Sequence, residues 1–109
     1  MTEAQLQSRC VIWLRNNYPQ THGLFFAVNN NSIHAHAGGT MKALGVIPGV
    51  ADTIFLWEGK AYFLEFKTPE GRQSKAQREW QETVEKSGFR YEIIRSFEDF
   101  QGFIASRIL

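Results

Sequence analysis

The sequence has 109 residues, a common size for one domain, and we predict a single domain over residues 1–109. A hydrophobic fraction of 43%, with nine Phe, three Trp and three Tyr, excludes a disordered chain. The net charge of +1 neither requires nor excludes a nucleic-acid partner, so any basic surface must be local.

Cysteine content and hydropathy favour an intracellular location. The single cysteine, Cys10, excludes an internal disulfide and fits a reducing compartment. No apolar run approaches the ~18–20 residues needed to span a membrane. The polar, acidic start MTEAQLQSRC is unlike a signal peptide. We therefore expect a cytoplasmic protein, in the host cytoplasm if it is viral.

The first half of the chain predicts a helix, a strand and a long loop. Thr2 and Gln5 form a capping-box pattern before apolar residues at helical spacing, and NNYP ends this helix. The apolar run GLFFAV, at positions 23–28, predicts a short strand. The polar, glycine-rich segment that follows predicts a long loop, with one helical turn in TMKALG. Residues 29–39 could form a mobile loop near a functional site, or a plain solvated loop.

The second half predicts a hairpin, a helix, a strand and a last helix. The stretch PGVADTIFLWEGKAYFLEFKTPEG, at positions 48–71, contains two apolar strands with a turn at EG. Ser74 and Gln77 form a second capping box, and Gly88 closes the helix that follows. FRYEII alternates as a strand does, and Ser96 caps the last helix. The predicted order is therefore α-β-β-β-α-β-α.

Three ionisable residues lie within this apolar hairpin. A turn centred on EG places Asp52 directly opposite Glu65, and Lys67 shares their face because side chains alternate along a strand. Two opposed carboxylates repel, and a hard cation such as magnesium resolves the repulsion. A neighbouring lysine can orient or deprotonate the attacking water and help to neutralise a phosphate. The pattern indicates metal-assisted hydrolysis of a phosphodiester.

The same residues also have a purely structural interpretation. Asp52 could cap a turn after Pro48, while Glu65 and Lys67 could form an ion pair on a solvated strand face. A lone E-x-K pattern is common in strands. The complete spacing D-x12-E-x-K, before a helix that carries Gln77, is more specific and favours the catalytic interpretation.

The segments GVIPGVADTIFL, AYFLEFKTPEGRQSKAQREW and SGFRYEIIRSFEDF carry a family resemblance. Together they resemble the virus-type replication-repair nuclease (VRR-NUC) family of the PD-(D/E)xK superfamily, in its stand-alone form. The chain departs from the literal PD pattern, since VAD stands there and Pro48 lies four positions upstream. The resemblance implies an α/β, restriction-endonuclease-like core, with a central mixed sheet of about four strands flanked by helices.

The resemblance also implies roles for particular residues. Asp52 and Glu65 would bind Mg²⁺ or Mn²⁺ together with the backbone carbonyl of Phe66, and Lys67 would be the catalytic lysine. Gln77 would lie at the edge of the site and contact the substrate or a water on the metal.

The family also has an acidic residue on its first helix, and Glu3 is the candidate for that role here. Gln7 lies one turn later on the same face.

Stand-alone members of the family are similar to dimeric resolvases that cut four-way (Holliday) junctions. The implied function is therefore a Mg²⁺- or Mn²⁺-dependent endodeoxyribonuclease that acts on branched DNA as a homodimer, in DNA repair. The alternatives are a flap or general duplex or single-strand nuclease, and a non-catalytic nucleic-acid-binding protein. The intact acidic and lysine pattern argues against the last of these. For the dimer interface, residues 89–109 and the first helix are candidates.

Two weaker patterns concern histidines and basic residues. HAH at 34–36, with His22, suggests a transition-metal site, but zinc usually requires four clustered ligands, and Cys10 lies among apolar helix positions. We therefore expect Cys10 in the core. The residues expected to contact a DNA backbone are Lys42, Arg72, Lys75, Arg78, Arg90 and Arg95.

Overall fold

The computed structural model describes residues 1–29 and 42–108. Its strands are β1 (Phe25–Ala27), β2 (Thr53–Trp57), β3 (Lys60–Phe66) and β4 (Arg90–Ile94). They form a four-stranded sheet in the order β1-β2-β3-β4 within this part of the chain. β2 is antiparallel to β1 and β3, whereas β3 and β4 are parallel. The predicted mixed sheet is confirmed, although β1 is shorter than the predicted 23–28.

The helices of the described ranges are α1 (Glu3–Asn17), α2 (Lys75–Lys86) and α3 (Phe97–Ile108), with a 3-10 turn at Pro19–Thr21. The predicted capping box of α1 is formed. Gln5 N–H donates to Thr2 Oγ1 at 3.1 Å, and Thr2 N–H donates to Gln5 Oε1 at 2.8 Å. Ser96 caps α3, since its Oγ accepts the Asp99 N–H at 3.0 Å. The observed order of elements is the predicted one.

One face of the sheet carries the hydrophobic core, which joins it to α1 and α3. Its buried side chains are Leu6, Cys10, Leu14, Phe55, Tyr62, Leu64, Phe66, Ile94, Phe100, Phe103 and Ile104. Cys10 is fully buried, as predicted, and burial raises the pKa of its thiol to about 12. A thiol that stays protonated at neutral pH is a poor nucleophile and metal ligand. Cys10 therefore contributes packing.

The opposite face of the sheet is covered by α2 through a thin apolar contact. The Trp80 ring lies 4.9 Å from the Phe63 ring and 6.1 Å from the Tyr91 ring. No residue of α2 is buried, so burial of apolar area contributes little to holding this helix. Polar contacts assist, because Gln73 Nε2 donates to Gln81 Oε1 at 2.9 Å and to the Tyr91 hydroxyl at 3.1 Å.

The β2–β3 hairpin has the predicted register. Thr53 lies opposite Leu64, and Trp57 lies opposite Lys60. The turn residues Glu58 and Gly59 both have positive φ, at 49° and 79°. Two consecutive positive φ angles match the right-handed twist of the strands. The tip therefore fixes which residues oppose one another at the far end of the hairpin, where Asp52 and Glu65 lie.

Gly49 lies in close contact with the first turn of α2. Its φ is +84°, and a Cβ at this position would overlap the Ala76 carbonyl and lie 2.8 Å from the Gln77 nitrogen. Only glycine gives both this backbone conformation and this approach of two backbones. The contact fixes the segment that leads into Asp52 against the start of α2.

Several predictions fall on residues that the structure does not describe. The loop predicted after Asn29, and the HAH segment, lie outside the described residues. Of TMKALG only residues 42–45 are described, and there the Gly45 N–H donates to the Lys42 carbonyl at 3.0 Å. No helix within residues 1–29 and 42–108 is long and apolar enough to cross a membrane. The assignment of residues 1–109 to one domain stays a prediction.

We expect Gly49→Ala to destabilise the fold more than Gly59→Ala. Both glycines have positive φ, so each substitution strains the backbone by about 1–2 kcal/mol. A Cβ at Gly59 meets nothing within 4 Å, whereas one at Gly49 overlaps α2. The overlap should add about 1–3 kcal/mol to the loss at Gly49. Urea unfolding of both variants measures the difference, and equal losses would contradict the contact.

Candidate active site

Asp52, Glu65 and Lys67 lie together on the α2 face of the sheet. Asp52 directly precedes β2, and its Oδ2 accepts the Phe66 N–H at 2.8 Å. Its backbone carbonyl accepts the Val28 N–H at 2.8 Å. Asp52 is thus tied to β3 through its side chain and to the chain after β1 through its backbone. These bonds continue the hairpin register to the pair that the sequence predicted.

Lys67 is a buried cation beside a buried carboxylate. Its side chain is 8% exposed, that of Glu65 is 1% exposed, and Lys67 Nζ lies 3.5 Å from Glu65 Oε2. The Lys67 N–H donates to the Ile94 carbonyl at 3.0 Å, which holds this residue against the end of β4. A solvated strand face is therefore excluded for this pair. Charges are buried at this cost mainly where a specific partner or function requires them.

Gln77 joins the helix cap to the acidic cluster. Its Oε1 accepts the Ser74 N–H at 2.8 Å, and its backbone N–H donates to Ser74 Oγ at 3.1 Å. Its Nε2 donates to Glu65 Oε2 at 2.7 Å. An amide has both a donor and an acceptor, so one side chain makes both contacts. The cap and the predicted place at the edge of the site coexist.

One oxygen of Glu65 has no hydrogen-bond partner. Oε1 is buried and accepts no hydrogen bond within the described residues. Burial, and then the charge of Asp52, raise the pKa of the Glu65 carboxyl from 4.5 to about 8, against the opposing effect of Lys67. A buried carboxylate oxygen without a donor is costly unless a proton or a cation satisfies it. The donor set present here therefore fits a divalent cation.

The neighbours available to such a cation are oxygen ligands. Residues 1–29 and 42–108 contain no group of three or more His, Cys, Asp and Glu side chains arranged to bind a metal. A hard cation at this place would thus draw on two carboxylates, backbone oxygen and water, as Mg²⁺ commonly does. His34 and His36 lie outside the described residues.

A cleft of about 530 Å³ opens beside this cluster. Asp52, Gly49, Ser74 and Gln77 line it, and residues that follow β1 form another part of its wall. The cleft thus gives solvent access to Asp52 and to the amide that holds Glu65. It is bounded by the close contact between Gly49 and the start of α2.

The turn that follows Lys67 is held by Arg95. Arg95 Nη1 donates to the carbonyls of Thr68, Pro69 and Gly71 at 2.9, 3.3 and 2.7 Å. Arg95 was predicted to contact a DNA backbone. Its Nη1 instead holds this turn, and a contact with DNA through the rest of the guanidinium stays a prediction. Its role here was missed, since its partners lie 24 to 27 residues away and no local pattern links them.

Glu3 lies beside the same turn. Its Oε2 is 3.4 Å from the position that a Cβ on Gly71 would occupy. Within the described residues no hydrogen bond links Glu3 to Asp52, Glu65 or Lys67. The structure therefore brings Glu3 to the turn after β3 but does not join it to the acidic cluster.

Most of the other basic residues also have partners. Arg78 donates to the Gln73 carbonyl at 2.8 Å, Arg90 pairs with Glu92 at 2.7 Å, and Lys75 pairs with Glu79 at 3.8 Å. The Arg72 and Lys42 side chains make no hydrogen bond or ion pair within residues 1–29 and 42–108. Of the six residues predicted to contact DNA, these two are exposed and free within the described chain.

The VRR-NUC domain model matches residues 1–98 of the chain. The chain belongs to the VRR-NUC family. A solved structure described as a "VRR_NUC domain protein" is similar to it, with a TM-score of 0.80 and 17% sequence identity. The similarity covers 99% of this chain and 88% of that one, and at this identity it shows the fold. A search of curated proteins gave no match.

Membership in the VRR-NUC family implies nuclease activity. VRR-NUC is a nuclease family that typically uses divalent metals, and a nuclease domain implies a DNA substrate. The fold of this VRR-NUC domain is consistent with a PD-(D/E)xK-like core, as the sequence predicted. The cluster of Asp52, Glu65 and Lys67 is therefore our candidate active site.

The metal-free protein should lose stability as the pH rises from about 4.5 to about 8. In this range the folded state binds a proton on Glu65 that the unfolded chain has released, because the Glu65 pKa is raised to about 8. Each pKa unit corresponds to about 1.4 kcal/mol. Thermal unfolding in a chelator across this pH range measures the loss.

Glu65→Gln is the control for this pH dependence, since glutamine does not titrate. Its unfolding temperature should be nearly flat over the same range. Mg²⁺ at pH 8 should raise the unfolding temperature of the wild type and leave that of Glu65→Gln almost unchanged. Identical pH profiles for the two proteins would contradict the assigned cause.

Gln77→Glu should separate the two functions of this side chain. A glutamate can still accept the Ser74 N–H, but it replaces the donor to Glu65 with a second carboxylate. We expect a loss of about 1–3 kcal/mol at pH 8 without metal. Ser74→Ala is the matched control, because it removes the cap, at about 1 kcal/mol, and leaves the charge unchanged.

Urea unfolding at pH 6 and pH 8 distinguishes these two variants. The defect of Gln77→Glu should grow with pH, whereas that of Ser74→Ala should stay constant. A wild-type stability for Gln77→Glu at pH 8 would indicate that the bond to Glu65 contributes little.

Proposed function

We propose that this VRR-NUC protein is a Mg²⁺- or Mn²⁺-dependent endodeoxyribonuclease that hydrolyses phosphodiester bonds in branched DNA. The observation that carries the proposal is the buried Glu65 carboxylate, whose Oε1 has no partner within the described residues. It shares a sheet face with Asp52 and with the buried Lys67. An acid held in this way is suited to bind a cation and is poorly explained as a structural ion pair.

In this proposal Asp52, Glu65 and the backbone carbonyl of Phe66 hold the metal. When bound, the metal supplies a Lewis acid that stabilises charge on the phosphate and lowers the pKa of water. Asp52 already holds the backbone of Phe66 in place, because its Oδ2 accepts the N–H of that residue. Glu65 must release its proton before it can act as a ligand, so metal and proton compete for the same group.

Lys67 acts as the catalytic lysine in this proposal. Its ammonium group is fixed 3.5 Å from Glu65 Oε2 and is almost excluded from solvent. A fixed cation can orient the attacking water and offset charge that develops on the scissile phosphate. With a metal held by Glu65, the Lys67 ammonium would be available to the phosphate.

Gln77 and Glu3 have supporting roles in this proposal. Gln77 orients Glu65 by occupying Oε2, which leaves Oε1 for the metal. It also borders the cleft, where it can contact the substrate. Glu3 is assigned to the edge of the site, near the turn that follows Lys67.

The proposed substrate is a four-way junction, cut by a homodimer in DNA repair in the cytoplasm. A junction presents two scissile strands related by a two-fold axis, and one 12.5 kDa chain offers one acidic cluster. A C2 dimer presents two clusters with matching symmetry. The alternative is a flap or general nuclease on the same core.

Cleavage of labelled DNA tests the function directly. Wild-type protein should cut four-way junctions faster than flaps or linear duplexes, and only with Mg²⁺ or Mn²⁺. Asp52→Asn, Glu65→Gln and Lys67→Ala should each reduce cleavage by about 10²-fold or more, because each removes a ligand or charge that acts at the phosphate.

Lys60→Gln is a control for surface charge, since the exposed Lys60 lies at the tip of the β2–β3 hairpin, at the other end of the sheet from the acidic cluster. Near-wild-type cleavage by Glu65→Gln would contradict the site. Equal rates on junctions and linear duplexes would support the general nuclease.

A further inference from the structure

The outer edge of β4 is unpaired within the described residues. β4 is the last strand in the sheet, and its other edge pairs with β3. The Ile94 carbonyl accepts the Lys67 N–H, so Ile94 directs its backbone groups toward β3. Because this direction alternates along a strand, Arg90 and Glu92 do the same. Tyr91 and Ile93 therefore direct theirs outward. An edge of this kind can pair with another chain.

A groove of about 520 Å³ runs along this edge, between β4 and α3. Two of its residues have opposite charges, since Arg90 Nε lies 2.7 Å from Glu92 Oε1. These charges disfavour an unrelated apolar strand at the edge. They favour a strand that presents the opposite charge at each position.

We infer that the β4 edge pairs with the β4 edge of a second copy of the chain, antiparallel, with Tyr91 at the two-fold axis. In this register the outward backbone groups of Tyr91 oppose those of Tyr91 in the second copy and can exchange two hydrogen bonds. Ile93 lies opposite Phe89, whose N–H already donates to the Val84 carbonyl.

This register also places Arg90 opposite Glu92 of the second copy, twice. A register centred on Glu92 would instead oppose two like charges, which is destabilising.

The helix beside the groove supports the approach of a second chain. Gly102 lies within α3 and lines the groove, and nothing lies within 4 Å of the position that its Cβ would occupy. Glycine inside a helix costs about 1 kcal/mol relative to alanine, and packing within the described chain does not require it here. Ser106, one turn later, is also small. Gly102 and Ser106 therefore leave a shallow surface on α3, against which the second chain can pack.

This inference rests on the proposed dimer and specifies its geometry. A two-fold axis through the paired β4 edges, perpendicular to the sheet, joins two four-stranded sheets into one. Both clusters of Asp52, Glu65 and Lys67 then lie on the same side of that sheet. A substrate with two equivalent strands needs this arrangement.

Charge reversal tests the interface by light scattering at micromolar protein without DNA. Wild type should have twice the 12.5 kDa mass of the chain. Arg90→Glu and Glu92→Arg should each weaken the dimer at least ~10-fold, which corresponds to about 1.4 kcal/mol. The double variant Arg90→Glu/Glu92→Arg should restore the dimer, because both cross-strand pairs return with reversed sign.

Gly102→Gln provides a test that does not depend on charge. The single chain has room for the new side chain, and glutamine favours a helix, so the fold should be at least as stable as wild type. The dimer should nevertheless weaken at least ~10-fold.

A wild-type mass of 12.5 kDa at all concentrations would overturn the interface, and so would a dimer that survives both single reversals. Nuclease activity is read separately. A monomer that cuts DNA with Mg²⁺ would remove this interface and leave the proposed chemistry standing. A dimer that cuts no DNA would support this interface and contradict the proposed chemistry.

Discussion

The buried carboxylate of Glu65 is the constraint on which the rest of this structure depends. A carboxylate in a dry environment favours its protonated form, and the negative charge of Asp52 strengthens that preference. Lys67 and Gln77 both act on Oε2, which leaves Oε1 without a partner among the described residues. An apolar residue at position 65 would fit the sheet at lower free-energy cost. The fold therefore keeps a buried acid that lowers the stability of the protein. This loss of stability is explained if the Glu65 carboxylate binds a ligand.

The contacts that hold this acid are made by backbone and polar groups, because α2 buries little apolar surface. Gly49 brings the chain before Asp52 against the start of α2, and the Ser74–Gln77 cap fixes the orientation of that turn. On the other side, Arg95 fixes the turn after Lys67 with three hydrogen bonds to carbonyls. Such contacts are sensitive to geometry, so small shifts of α2 should alter the site before they alter the core.

The parts of this structure that the sequence predicted are those set by local rules. The capping boxes and the EG turn each depend on residues within a few positions, and the turn then fixes the partner of Asp52. The contacts of Arg95 with the turn were not predicted, because an arginine gives no local sign of whether it will bind carbonyls or phosphate. The cap and the site contact of Gln77 were predicted separately, because only the relative placement of α2 and β3 lets one amide make both. β1 is shorter than its apolar run, because apolar content does not fix where pairing ends.

The proposed interface and the acidic cluster share the end of β4. Lys67 is bonded to Ile94 through its backbone, and Arg95, the next residue, holds the turn after Lys67. Tyr91, at the proposed axis, accepts a hydrogen bond from Gln73, which precedes α2. Pairing of β4 with a second copy would thus restrain the strand from which both the turn and α2 take part of their support. An edge strand without a partner is freer to move than a central one. Dimer formation should therefore restrict the conformations of the residues around Glu65, although the second copy adds no residue to the site.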